Sequence, residues 1–168
     1  GYFMYAKKTL ITSFVLMLLC SFLFSIESFE SGSLPAGWTT YTDGSSFTEW
    51  DVDTTDAYSG SYSMNCYGNY ENYLDSRVTT SSITFYRSDS YISFRLRTSL
   101  EDYYDELKFF IDGSYQGEYD DDYYWILVSY PVSPGTHTFT WEYEKDGSIT
   151  HGADAVWVDD VIFYGNFY

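Results

Sequence analysis

Apolar and polar positions alternate along most of the chain after Glu27. Ile92, Phe94 and Leu96 are interleaved with Ser93, Arg95 and Arg97, and Leu107, Phe109 and Ile111 repeat the pattern. Period two marks a strand with one buried and one wet face. Asp112-Gly113 then offers a turn. Trp125 to Tyr130 reads as a continuous apolar strand closed by Pro131 and by the turn Ser133-Pro134-Gly135. The stretch GTHTFTWEYEKD, Gly135 to Asp146, predicts the next strand, and Ala155 to Tyr164 the last. In that stretch Phe139, Trp141 and Tyr143 share one face, with Thr138, Thr140, Glu142 and Glu144 on the other. A sandwich of this size needs large inward side chains, so the stripe reads as core wall, with His137 and Lys145 nearer the edges. Residues 31–55 read as an ordered wrap with few regular strands. The segment from Asp56 to Met64 reads as a turn leading into a strand. Short strands split by Gly, Ser, Asp and Asn predict an all-β, two-sheet antiparallel β-sandwich.

The N-terminus breaks this pattern. Lys7-Lys8 precede a mostly apolar run from Leu10 to Phe24. A short basic segment before about 15 apolar residues is the pattern of a secretory signal peptide, whereas a spanning helix needs about 20. Residues 1–25 are therefore expected to be a hydrophobic leader helix, with a short extension before Met4, and residues 26–168 one sandwich domain. A retained hydrophobic helix would instead point to a structural surface or filament protein.

Composition narrows the partners. The chain carries 25 acidic and 8 basic residues, and loss of Lys7 and Lys8 with the leader takes the net charge from −17 to about −19. Nucleic acid and anionic membranes are disfavoured, because their phosphates need basic partners; a membrane would be met only through an uncleaved leader. Aromatic residues at 23% argue against disorder. Past the leader only Cys66 remains, so an intramolecular disulfide cannot form.

Catalytic motifs are missing from the sequence: no G-x-S-x-G, H-E-x-x-H, P-loop or paired CxxC occurs. A glycan-active enzyme needs only two suitably placed carboxylates, a weak criterion among 25 acids. Calcium takes six to eight oxygen ligands from flexible loops. The candidates are Glu30, the Asp51/Asp53/Asp56 cluster, and Asp159-Asp160, two acids set in the apolar final strand. A carboxylate buried there needs a cation or backbone donors, because an isolated buried charge is costly. Asp120-Asp121-Asp122 reads as a solvated loop tip. For sugar stacking the candidates are Tyr103 and Tyr104, then Tyr119, Tyr123 and Tyr124 around that tip, with Tyr67, Tyr70 and Tyr73 besides. They fall in loops, where binding residues concentrate.

Several of these segments together carry a resemblance. Phe29-Glu30-Ser31-Gly32 with Leu34-Pro35-x-Gly37-Trp38, then Ser59-Gly60-Ser61-Tyr62-Ser63, resembles the opening of bacterial cleaved-adhesin modules and of related MAM-like, choice-of-anchor jelly rolls. Tyr104-Asp105-x-Leu107-x-Phe109-x-Ile111-Asp112-Gly113, the stretch from Gly135 to Asp146, and Asp154-Ala155-x-Trp157-Val158-Asp159-Asp160-Val161 extend the likeness over about Glu27 to Tyr164. The resemblance implies a jelly-roll sandwich, secreted or at the cell surface of a bacterium. Such a module is often calcium-stabilised and often part of a larger multidomain chain. It binds an extracellular protein or a glycan without catalysis. Glu30 and Asp159-Asp160 match where related jelly rolls place metal-binding acids.

Overall fold

The final strand organises the molecule. In a computed structural model of the protein, which describes residues 24–147 and 151–166, β13 (Ala155–Tyr164) runs through the centre of a six-stranded antiparallel sheet. The order there is β10 (Ile126–Pro131), β7 (Tyr91–Ser99), β13, β4 (Ser63–Tyr67) and β3 (Asp51–Asp53), and β1 (Phe24–Glu27) pairs with the far end of β13. The facing five-stranded sheet has the order β2 (Thr39–Thr42), β5 (Asp75–Thr79), β12 (Phe139–Glu144), β8 (Glu106–Ile111) and β9 (Ser114–Tyr119). A two-stranded ribbon joins β6 (Ile83–Phe85) to β11 (Gly135–His137). The described residues contain no α-helix, so the two-sheet antiparallel sandwich expected from the alternation is what forms. The leader expected over residues 1–25 lies, up to residue 23, outside the described residues.

The aromatic stripe is core wall. Phe139, Trp141 and Tyr143 are fully buried, and Trp141 packs against Phe94 and Phe109 with ring centroids 5.3 Å away in each case. Trp38, from the N-terminal wrap, stacks on the same indole. The stretch from Gly135 does not form one strand, however. Thr138 donates its backbone N–H to Asp112 Oδ1 at 2.8 Å, which separates β11 from β12 and sends them to different sheets. Lys145 also departs from its expected edge position: its ammonium is fully buried, because Asp105 and Asp154 are buried on either side of it.

Two acids inside an apolar strand are explained by a bulge. Opposite β7, the register of β13 shifts between Asp159 and Ile162, and Asp160 adopts φ 46°. Such an inserted residue re-aims its neighbour, and aspartate tolerates the left-handed region better than most side chains. Asp159 is thereby turned toward the segment at Tyr58 and Ser59.

Candidate functional site

Four connections meet at one end of the sandwich: residues 68–74, 100–105, 120–125, and 145–147 with 151–154. The ladders require it, because Tyr67 ends β4 opposite Ala155, and Ala155 also faces Ser99 at the end of β7. Backbone bonds then tie the loops together. Gly68 N donates to Asp154 O, Tyr73 N to Asp146 O, Tyr103 N to Asp120 O, and Thr98 N to Tyr123 O, all within 2.7–3.0 Å.

This end displays the tyrosines. Tyr103, Tyr124 and Tyr104 are 81%, 77% and 61% exposed, with Tyr70 and Tyr73 exposed beside them. The structure thus brings Tyr103 to the 120–124 tip. Tyr123 is half-buried and meets the edge of Tyr119. Tyr119 lies lower, where it shares a 2.8 Å hydrogen bond with the Tyr130 hydroxyl, and burial raises its own hydroxyl pKa. Tyr119 therefore supports the crest rather than presenting a free ring. The backbone beneath these rings is strained. Tyr70, Tyr73, Tyr103 and Trp125, all in these loops, have φ between 49° and 69°. Bulky residues held there cost of order 1–3 kcal/mol each, and such strain clusters at binding sites.

Beneath the crest lies a buried charge network. Lys145 Nζ bonds Asp105 Oδ2 at 2.7 Å and also Asp154 Oδ1. Asp154 accepts further bonds from the Tyr143 hydroxyl and from Tyr70 N. Glu101, Asp105 and Asp146 bring one carboxylate oxygen each within 4.8 Å of one another, and Glu101 Oε2 is buried with no hydrogen-bond partner. Burial first, then Asp146 and Asp105, raises the Glu101 carboxyl pKa. This is the group among the described residues that could hold a metal ion.

Among the described residues, Glu30, Asp56, Asp159 and Asp160, all expected to bind calcium, do not form such a group. Asp159 is fully buried and accepts N–H bonds from Tyr58 and Ser59 at 3.0 Å and from Asp160 at 2.6 Å. Burial pushes its pKa up to about 6 against the pull of those donors. Asp160 accepts from the Ser59 hydroxyl at 2.8 Å, Asp56 pairs with Arg97, and Glu30 accepts from Ser61 N and Tyr62 N at 2.8 and 3.0 Å.

At the opposite end, His137 Nδ1 lies 2.6 Å from Asp112 Oδ2, and Nε2 lies 3.5 Å from the Ser133 hydroxyl. The trio has the residue types of a hydrolytic triad. Yet Nε2 also faces the Ser133 carbonyl at 3.0 Å, an acceptor where a general base would need a free lone pair. It closes a turn.

No protein-family model matches the chain, and no curated protein matches it in sequence. Solved structures match it in fold. The K1 cleaved adhesin domain of Lys-gingipain from Porphyromonas gingivalis superposes with a TM-score of 0.64 at 12% identity, over 83% of this chain and 96% of that one. The K2 cleaved adhesin domain of Lys-gingipain gives 0.62 at 16% identity, over 83% and 97%. TmCBM61, solved in complex with β-1,4-galactotriose, gives 0.59 at 15% identity, over 82% and 94%. The chain is thus a β-sandwich similar in fold to cleaved-adhesin and carbohydrate-binding modules.

Proposed function

We propose that the protein is a non-catalytic, extracellular binding module of jelly-roll type that recognises a glycan through its tyrosine-bearing loop end. One observation carries the reading: three separate connections converge to expose Tyr103, Tyr104, Tyr124, Tyr70 and Tyr73 together, several of them in strained backbone. Tyrosine rings offer flat apolar area with a polar tip, at low cost in side-chain entropy. Supporting the reading, one fold neighbour was solved with a galactotriose and others are adhesin domains. A leader that ends before β1, so that Phe24 and Ser25 stay paired with the final strand rather than leaving with it, and a bacterial surface location complete it.

Calcium enters the proposal beside Glu101, Asp105 and Asp146, where the orphaned Glu101 Oε2 fits an oxygen-seeking cation and Asp105, already bonded to Lys145 Nζ, would be shared between the two cations. Thermal melts with and without a chelator test that part, because a ligand bound only by the folded state raises Tm. Identical melts would remove calcium from the proposal.

A glycan array probed with wild type, Tyr103→Ala and Tyr124→Ala tests the loop site. Binding should fall about tenfold with each substitution, the loss of a central aromatic contact. No binding to any glycan by the wild type would overturn the reading.

A further inference from the structure

In so acidic a chain a free cation is informative. Arg77, Arg87, Arg97, Lys108 and Lys145 each pair with a carboxylate. Among the described residues Arg95 is the one lysine or arginine that does not. Its Cα partner across the ladder is Asp159, but the bulge directs that carboxylate to the amides of Tyr58 and Ser59. Asp56 is taken by Arg97, and Asp160 accepts from the Ser59 hydroxyl.

The Arg95 guanidinium instead lies over the Tyr58 ring, 4.1 Å from its centroid. A guanidinium stacked on a ring keeps its N–H fork free at the edge, in the geometry that matches a carboxylate in bidentate fashion. Tyr58 in turn tilts against Trp125 at 5.9 Å, and Leu127, paired in register with Arg95, is 58% exposed. Trp125 brings two oddities of its own. Its φ is 49°, and its indole N–H is buried with no acceptor among the described residues. An unmatched cation, an unmatched donor and a strained aromatic therefore meet on the face of the six-stranded sheet. Tyr124, next in the chain to Trp125, covers Arg97 at 5.2 Å and links this patch to the exposed loop end.

We propose that Arg95, Tyr58 and Trp125 form a subsite for the carboxylate of an acidic sugar, a hexuronate unit within the bound glycan. The assignment rests on the glycan-binding reading, and adds to it a substrate class and a direction, from the loop crest down the sheet face. Aromatic faces beside the guanidinium favour a pyranose ring over an acidic peptide. The chain's negative charge is screened beyond about 8 Å at physiological ionic strength, so local pairing decides.

The test is an NMR titration of the protein with glucuronate, glucose and acetate, following the Arg95 Nε–H and Trp125 indole N–H signals. Glucuronate should shift both signals at concentrations at least tenfold lower than glucose. Arg95→Lys, which keeps the charge but loses the fork, should weaken glucuronate about tenfold, and Arg95→Gln should abolish the shift of the Trp125 signal. Equal shifts from glucose and glucuronate, or an unchanged titration in Arg95→Gln, would overturn the subsite. Acetate acting as strongly as glucuronate would overturn the sugar assignment in favour of a general carboxylate, such as a peptide's. Tyr103→Ala should leave this monosaccharide titration intact, so failure of the loop site and failure of the subsite are told apart.

Discussion

Lys145 Nζ lies 2.7 Å from Asp105 Oδ2 with both side chains buried, directly under the tyrosine loops. Asp154 completes the group from the other side and ties in the Tyr143 hydroxyl. The ammonium thus holds the ends of β8, β12 and β13 together through two carboxylates that are almost wholly shielded from water.

Lys145→Met should therefore be strongly destabilising. It leaves two buried carboxylates without a cation, and breaking one side of a buried ion pair costs about 3–5 kcal/mol. Urea unfolding at neutral pH checks it; a loss below about 1 kcal/mol would mean that solvent or a bound ion answers those carboxylates.

The fold was legible in the sequence because period two is clear in β7, β8 and β12, and the final strand falls on Ala155–Tyr164 as expected. The ion group was not. Lys145 continues the polar and aromatic alternation of β12, and nothing local says that Asp105 and Asp154, 40 and 9 residues away, will be buried beside it. Arg95 was hidden for the same reason: it looks like any outward residue of β7 until the bulge at Asp159 and Asp160 removes its natural partner. The tyrosine crest was half legible, since composition marked the loops, while the strained φ values and the demotion of Tyr119 depend on tertiary packing.

Asp159 predicts a pH dependence. Its folded pKa is raised from 3.8 to about 6, so the folded state holds the proton more tightly than the unfolded chain. Stability from this group is therefore highest in acid and is lost as pH rises from about 4 to 6. Linkage gives about 1.4 kcal/mol gained by the wild type on going from near pH 7 to near pH 5. Because other carboxylates titrate in the same window, the quantity to measure is the stability difference between wild type and Asp159→Asn. That difference should move in favour of the wild type as pH falls; a constant difference would contradict the shift.

Cys66 should be inert. It is fully buried in the core, and burial pushes its thiol pKa up to about 12. Thiolate is the reactive species, so at neutral pH a disulfide reagent should label Cys66 only after denaturation. Rapid labelling of the native protein would show that β4 opens readily.

Gly68 links stability to the binding end. A Cβ there would sit 2.5 Å from both carboxylate oxygens of Asp154. Those oxygens cannot swing away, because Lys145, the Tyr143 hydroxyl and Tyr70 N all hold them. Gly68→Ala should therefore cost about 1–3 kcal/mol, the range for overpacking a fitted site. It should also shift the loop carrying Tyr70 and Tyr73, and so weaken glycan binding more than its stability loss alone implies. Gly113→Ala is the control: its Cβ meets nothing within 4 Å, and only the φ of 74° resists it. It lies in the turn between β8 and β9, away from the tyrosines, so it should lower Tm modestly and leave binding unchanged. Equal effects of the two alanines on binding would mean that the Asp154 anchor does not position the loops.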